Sequence, residues 1–202
     1  MAASNRALTC SVDGMTDRMH REYLLGQLAD YSDRHPRESR LIGRFRTFVE
    51  SHERCFDRHL WAGHVTGSAW LVDRDRSRVL LTHHRKLGRW LQLGGHSDGN
   101  PDTLQVALAE AGEESGLAVA PLSHLVYDID IHEIPARGSE PAHLHYDVRF
   151  ALQVVGDQTF RVSQESLDLA WVSIDRLGAF TDEPSMLRMA GKWRSFLERL
   201  SG

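Results

Sequence analysis

The stretch that decides the fold is Gly95–Leu117, with the sequence GHSDGNPDTLQVALAEAGEESGL. It opens with a polar loop, and the spacing of its apolar residues predicts a helix over residues 101–115. Within that helix, Glu110, Glu113 and Glu114 have i, i+3, i+4 spacing, which places three carboxylates along one flank. The neighbouring apolar stripe comprises Leu104, Ala107, Leu108 and Ala111. The segment therefore predicts an amphipathic helix that packs on a core and carries an acidic flank.

The charge pattern around this helix sets it apart from the rest of the chain. Lys and Arg are absent between Arg89 and Arg137, while eight Asp and Glu residues lie in that interval. Like charges at helical spacing cost about 0.2–0.5 kcal/mol per pair, so the acidic flank favours a counterion. Mg²⁺ prefers carboxylate oxygens, waters and substrate phosphates as ligands. The alternative is an ordinary acidic solvent face that distant arginines compensate through space.

A cluster of cations, Arg85, Lys86 and Arg89, lies just upstream of the acidic helix. Cationic side chains beside a metal-type helix suit a substrate that carries phosphate groups. We therefore take these three residues as candidates for substrate binding, and a solvated loop is the alternative interpretation.

The order of the predicted elements indicates the fold class. Residues 1–60 read as a helical extension after a short tail, and β-branched segments follow from about residue 64. The acidic helix, further strands and a final amphipathic helix complete the chain. This order predicts an α/β domain with a mixed sheet over residues 61–202, preceded by the N-terminal helical extension. The apolar stripe of the extension comprises Leu41, Ile42, Phe45, Phe48 and Val49.

Composition excludes several function classes. The chain has 202 residues, 24 Lys and Arg against 28 Asp and Glu, and a net charge of −4, which does not suggest a stable nucleic-acid partner. No apolar run approaches the ~18 residues of a membrane span, and the N-terminus lacks the apolar segment of a signal peptide. Two cysteines, Cys10 and Cys55, make no disulfide framework. We therefore expect a cytoplasmic protein without a membrane partner.

The acidic segment resembles the Nudix box, G-x5-E-x7-R-E-U-x-E-E-x-G-U, in which U is a bulky apolar residue. The positions in register are Gly95, Glu110, Ala111, Glu113, Glu114, Gly116 and Leu117. The resemblance covers roughly residues 64–180 and includes LQLGGH before the box and Trp171 after it. The helical extension is not part of the generic Nudix domain.

Resemblance to this family implies a Nudix-type α/β/α sandwich and a Mg²⁺- or Mn²⁺-dependent pyrophosphohydrolase. Its substrate would be a nucleoside diphosphate linked to another moiety. The resemblance also implies that Glu110, Glu113 and Glu114 bind the metal, with the carbonyl of Gly94 or Gly95 as a further ligand. Such cations neutralise the pyrophosphate, polarise a phosphorus and activate a water.

A carboxylate must also accept the proton of the attacking water. We take Glu113 and Glu114 of the box as catalytic candidates. Glu165, in the loop before the last strand, is a candidate for a later acid, and a surface glutamate is the alternative interpretation.

Two positions depart from the family pattern. Pro101 stands where the first Glu of the box is expected, and Ala109 stands where an Arg precedes Glu110. In the family that Arg helps to orient the catalytic glutamates. The departures favour an alternative function, a non-catalytic Nudix-fold module that binds a nucleotide for regulation. The three intact helix glutamates favour an enzyme.

Twelve histidines are present, and several of them fall near the box. His143, His145 and Asp147 alternate along a predicted strand and so share one face, which His132 on the preceding strand can join. Together with His96 they predict either a site for a borderline metal or a polar lining of the substrate cleft. On the second interpretation His96, His143 and His145 bind substrate.

A Nudix relative, isopentenyl-diphosphate isomerase, also has a metal site that contains His and a Gly-His step before its box helix. The segment LQLGGH lacks the Cys expected for the catalytic residue of that isomerase, which disfavours an isomerase.

The substrate and the oligomeric state stay open at this stage. ADP-ribose, a dinucleotide, a nucleotide sugar and a damaged nucleoside triphosphate all satisfy the resemblance. Because the apolar stripe of residues 1–60 needs a packing partner, and Nudix relatives are often dimers, we expect a homodimer. A monomer whose added helices cover its own sandwich is the alternative.

Overall fold

The computed structural model describes residues 12–85, 87–164 and 166–201. Four α-helices lie in this part of the chain, and their bounds are α1 Val12–Arg34, α2 Ser39–Ser51, α3 Thr103–Ser115 and α4 Pro184–Ser201. The eight strands are β1 His64–Val72, β2 Arg78–His84, β3 Arg89–Leu91, β4 Leu93–His96, β5 Val119–Pro121, β6 Asp128–Ile134, β7 His143–Val154 and β8 Ser166–Ser173. Short 3-10 turns precede α2, at Pro36–Glu38, and follow β8, at Ile174–Ala179.

The strands form one mixed sheet with β1 and β7 at its centre. These two strands run parallel along their whole common length, from His64 opposite His145 to Val72 opposite Gln153. The other pairs are antiparallel, with β4 and β2 on β1, β5 and β6 on β7, and β3 and β8 on β2. The mixed sheet predicted from the sequence is therefore confirmed.

Alternation along β1 assigns its two faces to different helices. On one face Gly67 meets α3, because a Cβ built on Gly67 would lie 2.6 Å from the Thr103 carbonyl oxygen. On the other face Trp70 packs near Trp193 of α4, with ring centroids 6.3 Å apart. The sheet therefore lies between two helical layers, as expected for an α/β/α sandwich.

The N-terminal extension packs on the same chain. Four members of its apolar stripe are buried, namely Ile42, Phe45, Phe48 and Val49. The ring of Phe48 stacks on Tyr146 of β7 with centroids 3.7 Å apart, and Phe45 meets the same ring edge-on. Because one chain covers the stripe, the stripe no longer requires a second subunit. The homodimer stays a prediction from the sequence.

A buried network of charges ties the helices to the edge of the sheet. Arg149 of β7 is 2 % exposed and contacts the carboxylates of Asp128, Asp130 and Asp147. Arg188 of α4 donates to Asp128 at 3.0 and 2.8 Å and to Asp130 at 3.1 Å. The charge of each buried group is therefore matched by groups from other elements, as buried ions require.

Lys192 of α4 extends this network to the N-terminal extension. Its ammonium lies 2.6 Å from Asp128 and 2.6 Å from Glu38. It also donates to the hydroxyl of Tyr31 at 2.6 Å, and that hydroxyl donates to Glu38 at 2.6 Å. The network thus joins α1, the turn before α2, the sheet and α4.

Several element bounds differ from the prediction for local reasons. The acidic helix begins at Thr103, because the Asp102 carboxylate accepts from the backbone N–H of Gln105 at 3.0 Å and caps the helix. The sequence RWLQLGG reads as one short strand, but in the structure it forms two strands, β3 and β4, which pair with β2 and β1. Strand β5 escaped prediction because three residues carry too little periodicity. Of the predicted N-terminal tail, residues 1–11 lie outside the described residues.

In the described part of the chain, no helix combines the length and apolar character that crossing a lipid bilayer demands.

We predict that Asp128→Asn lowers the free energy of unfolding by about 3–5 kcal/mol, because it leaves buried cations without their counter-charge. Chemical denaturation followed by circular dichroism measures this change. Asp75→Asn, at an exposed turn, is the matched control and should leave the unfolding midpoint where it was. A midpoint for Asp128→Asn equal to that of the control would contradict a stabilising role for the network.

The same network predicts an acid dependence of stability. Burial alone would raise the pKa of Asp128, but the hydrogen bonds from Arg188 and the charges of Arg149 and Lys192 hold that pKa below its ordinary value. A carboxyl with a depressed folded-state pKa stabilises the fold above its unfolded pKa of about 3.9, and that contribution is lost as pH falls below it. The stability of Asp128→Asn should therefore depend less on pH in this acidic range than that of the unmodified protein.

Candidate active site

The box helix α3 lies against the end of β4, and Glu114 makes the best-defined contact. The backbone N–H of Gly94 donates to Oε1 of Glu114 at 2.8 Å, and the Glu114 side chain is buried. Gly94 can approach this closely because it adopts a φ of +154° and lies against Ser68, where a Cβ would be 2.2 Å from the hydroxyl oxygen. The chain thus fixes one carboxylate through a backbone donor.

Glu110, one turn earlier on α3, lies directly over Gly95. A Cβ built on Gly95 would lie 2.3 to 2.6 Å from the carboxyl atoms of Glu110. Gly95 therefore leaves the space that the Glu110 carboxylate fills, and consecutive glycines of β4 receive two carboxylates of the predicted metal set. Glu113, the third member, is exposed on the same helix.

The two positions that depart from the family pattern, Pro101 and Ala109, lie just before α3 and on its exposed side. Ala109 is exposed on α3, and Pro101 precedes the helix cap and is half-buried. In this chain the Gly94 N–H donates to Glu114 and Gly95 leaves the space that Glu110 fills, so both carboxylates have positioning contacts at β4 that involve no cation at residue 109.

Protein contacts engage the two described members of the cationic cluster. Arg85 donates to the carbonyl oxygens of Gln164 and Ser166, both at 2.9 Å. Arg89 forms an ion pair with Glu183. Both arginines are exposed, and their role in substrate binding stays a prediction. Lys86 of the cluster and the later catalytic candidate Glu165 lie outside the described residues.

Asp147 forms a polar base beneath the glycine pair. Its Oδ1 accepts from the hydroxyls of Thr66 at 2.8 Å and Ser68 at 2.7 Å. Its Oδ2 accepts from Gln92 at 3.1 Å and from Arg149 at 2.7 Å. Because Ser68 also lies against Gly94, this carboxylate links the buried charge network to the backbone that holds Glu114.

The structure brings the predicted histidines together, in the register expected from their alternation. His132 of β6 pairs with His145 of β7, and the ring of His143 lies 5.3 Å from that of His145. His96 at the end of β4 joins them, with its ring 5.1 Å from that of His145.

His64 also belongs to this group of histidines, although the sequence pattern did not predict it. Its ring lies only 4.7 Å from that of His145. The signal available was its position as the first residue of β1, since the parallel register places it opposite His145.

Burial lowers the pKa of three of these imidazoles, those of His64, His96 and His145. Desolvation, followed by the charges of His96 and His143, lowers the pKa of His64 to about 4, and a smaller effect of the Leu60 backbone opposes the shift. Desolvation also lowers the pKa of His96, with the charge of Arg58 acting in the same direction. Burial is the largest cause of the lowered pKa of His145, and the charges of the neighbouring histidines lower it in the same direction. A neutral imidazole has one nitrogen lone pair available for a ligand.

Comparison with solved structures identifies this architecture. The dihydroneopterin triphosphate pyrophosphohydrolase of E. coli matches with a TM-score of 0.51 at 18 % identity, over 63 % of this chain and 92 % of that chain. The chain has the Nudix fold. A Nudix-family hydrolase from Clostridium perfringens matches at 25 % identity with a TM-score of 0.48, over 66 % of this chain and 97 % of that one. No family model and no curated protein matches the sequence.

The Nudix fold predicted from the box is thus confirmed, and the roles of its residues stay predictions. At 18 % identity the match to the E. coli enzyme shows the architecture and not the chemistry.

We predict that Gly95→Ala keeps the fold but weakens Mn²⁺ binding by about 10- to 100-fold, the effect typical of displacing a group that orients a metal ligand. The three atoms nearest to the added methyl group all belong to the end of the Glu110 side chain, which can swing away at small cost to stability. Titration of Mn²⁺ followed by electron paramagnetic resonance measures the affinity, and thermal unfolding checks the fold.

Gly112→Ala is the matched control, because it adds the same methyl group to α3 with no neighbouring atom closer than 3.7 Å. It should retain the affinity and keep or raise the thermal midpoint. Equal Mn²⁺ affinity in both variants would show that Glu110 does not act at this position.

Proposed function

We propose that this chain is a divalent-metal-dependent pyrophosphohydrolase that cleaves a nucleoside diphosphate linked to another moiety. One observation carries the proposal: α3 delivers the carboxylates of Glu110 and Glu114 to the adjacent glycines Gly95 and Gly94 at the end of β4. The Nudix fold around this point supports the assignment, since the matched E. coli protein is a pyrophosphohydrolase.

The donor set fits Mg²⁺ or Mn²⁺. These ions prefer carboxylate and carbonyl oxygens, and α3 supplies carboxylates from Glu110, Glu113 and Glu114 beside the backbone of Gly94 and Gly95. When bound, the cation would neutralise charge on the pyrophosphate and favour ionisation of a water. A glycine at position 95 is consistent with this role, because any larger residue would occupy the space of the Glu110 carboxylate.

The reaction assigned to this site is hydrolysis of a phosphoanhydride. The oxygen of water forms a bond to one phosphorus, the bond from that phosphorus to the bridging oxygen breaks, and the departing phosphate takes the electron pair. A carboxylate accepts the proton of the attacking water. Glu113 and Glu114 are our candidates for this base, together with Glu165 in the later loop. Two phosphate monoesters result, or a nucleotide and pyrophosphate when the substrate is a triphosphate.

Substrate binding is assigned to the cations and histidines around the site. Arg85, Lys86 and Arg89 would attract the phosphates, and their protein contacts would hold the described arginines in place. His96, His143 and His145 would line the cleft at the end of the sheet. We place the protein in the cytoplasm, where nucleotide substrates are abundant, and we keep the homodimer as part of the proposal.

A panel of substrates with and without Mg²⁺ tests this function. ADP-ribose, a dinucleoside polyphosphate, a nucleotide sugar and an oxidised nucleoside triphosphate each yield products that release inorganic phosphate through a coupled phosphatase or pyrophosphatase. Metal-dependent release from at least one class is the expected result. Binding of a nucleotide without cleavage would instead support the non-catalytic regulatory module that Pro101 and Ala109 favour.

We predict that Glu113→Gln and Glu114→Gln each lower turnover by at least about 100-fold, because the loss of a ligand charge removes several kcal/mol of transition-state stabilisation. Gln at residue 114 can still accept from the Gly94 N–H, so the fold should persist. Initial rates at saturating Mg²⁺ measure the loss, and Glu198→Gln on the exposed face of α4 is the matched control. Near-normal rates in both box variants would refute the assigned metal site.

Metal-free stability gives these variants a second readout. Neutralising Glu113 or Glu114 relieves repulsion along the acidic flank, so without metal each variant should be at least as stable as the unmodified protein.

We predict that Ala109→Arg is tolerated but does not raise turnover substantially. The exposed position accepts a long side chain, and Gly94 and Gly95 already position the neighbouring carboxylates. The new cation could also compete with metal beside Glu110 and Glu113. Steady-state kinetics compare the variant with the unmodified chain, and a large gain in turnover would show that Ala109 is a simple defect of the box.

A further inference from the structure

A second group of potential metal ligands lies at the end of the sheet. His64 is the first residue of β1, His96 is the last residue of β4, and His145 lies near the start of β7. Parallel pairing sets His64 opposite His145, and antiparallel pairing sets His96 opposite Thr66, two residues along β1. Since paired residues share a face of a sheet, the three imidazoles project to the same side.

The three imidazoles converge closely enough to bind one ion. One ring nitrogen from each lies within 4.8 Å of the others. Ligand nitrogens of a tetrahedral zinc ion lie about 3.3 Å apart, given Zn–N distances of about 2.0–2.1 Å. Small side-chain rotations would therefore close the set around an ion.

The hydrogen bonding of this cluster is incomplete among the described residues. Neither ring nitrogen of His64 forms a hydrogen bond of normal geometry, although the Leu60 backbone affects its pKa, and the residue is 1 % exposed. Nε2 of His145 is likewise buried without a partner. A buried polar atom left without a partner costs about 1–3 kcal/mol, so two imidazoles with this arrangement are suited to binding a ligand.

Alternation along β4 separates this cluster from the box carboxylates. Gly95 pairs with Gly67, on the face that meets α3 and Glu110. His96 is the next residue and therefore projects to the opposite face. The histidine cluster is thus a separate group of ligands and not an extension of the acidic flank.

We propose that His64, His96 and His145 bind a divalent transition-metal ion of the Zn²⁺ class, separately from the Mg²⁺ or Mn²⁺ assigned to α3. A set of neutral imidazole nitrogens suits Zn²⁺, Co²⁺ or Ni²⁺ and disfavours Mg²⁺, which takes oxygen ligands. Three protein nitrogens leave one position of a four-coordinate ion for a water or for a group of the substrate.

His143 supports this ligand set from the side. Its ring lies 4.9 Å from that of His64, and its Nδ1 contacts the carbonyl oxygen of Pro141 at 2.8 Å. A backbone carbonyl that binds one ring nitrogen fixes the ring orientation, which is the usual arrangement around histidine ligands. His143 is therefore placed as a fourth ligand or as a neighbour that confines the open position.

Metal binding to the full chain tests the proposal without reference to catalysis. Chelator-treated protein is titrated with Co²⁺ while its visible absorption is recorded, and Zn²⁺ is then added in competition. With the α3 carboxylates kept occupied by excess Mg²⁺ throughout, we expect one Co²⁺ per chain at the histidines, an absorption spectrum of nitrogen ligands in a low-coordinate geometry, and displacement by one equivalent of Zn²⁺. Zn²⁺ should also raise the thermal midpoint, because it binds three strands of the native fold at once.

Single variants assign the ligands. His96→Gln and His145→Gln should each weaken Zn²⁺ binding by more than about 100-fold, since changes outside the ligand set alone cost 10- to 100-fold. His124→Gln, an exposed histidine far along the chain, is the matched control and should bind like the unmodified protein. Circular dichroism verifies that each variant is folded, and His64→Asn provides the third ligand test if it folds.

A final variant separates the two sites. Glu110→Gln combined with Glu113→Gln should leave the Co²⁺ spectrum unchanged, whether or not the protein hydrolyses any substrate. Unchanged Zn²⁺ affinity in folded His96→Gln and His145→Gln would overturn the proposal. Loss of the Co²⁺ spectrum in the double glutamate variant alone would overturn it too, because the ion would then belong to the acidic helix.

Discussion

The contact between Arg149 and three aspartates is the constraint on which the rest of the structure depends. A guanidinium this deeply buried must be matched by carboxylates, and these are supplied by Asp128 and Asp130 of β6 and by Asp147 of the central strand β7. Arg188 of α4 also binds Asp128 and Asp130, and Lys192 of α4 binds Asp128, which fixes that helix over the sheet. Burying charge thus specifies one arrangement of elements that apolar packing alone would leave less defined.

The same network reaches the candidate active site through Asp147. This carboxylate binds Arg149 on one oxygen and the hydroxyl of Ser68 on the other, and Ser68 lies against Gly94. The Gly94 N–H in turn holds Glu114. A continuous set of contacts therefore runs from the core of the protein to the Glu114 carboxylate of α3, which is held by this path although residue 109 is Ala.

Local sequence patterns predicted most helices and strands, but the pairing of strands that are distant in sequence determines which residues meet at the candidate site. The acidic flank of α3 and the alternation of His143 with His145 were readable because helical and strand periodicities are local properties. The role of Asp128 could not be predicted from the sequence, because its partners lie on α1, β7 and α4. In the sequence alone, Asp128 is one of several polar residues in an alternating strand. His64 escaped notice for the same reason, since only the parallel register of β1 and β7 brings it to His145.

The central parallel pair also governs how this chain can fold. Thr66 and Asp147, which meet across it, are 81 residues apart, and closing so long a loop costs entropy before any contact forms. Folding should therefore be slow relative to a helical protein of this size. During synthesis α1 and α2 emerge long before β7, so their apolar faces stay exposed until β7 is available to pack against them. The newly made chain depends on β7 to bury its N-terminal helices and to complete its candidate site in one late step.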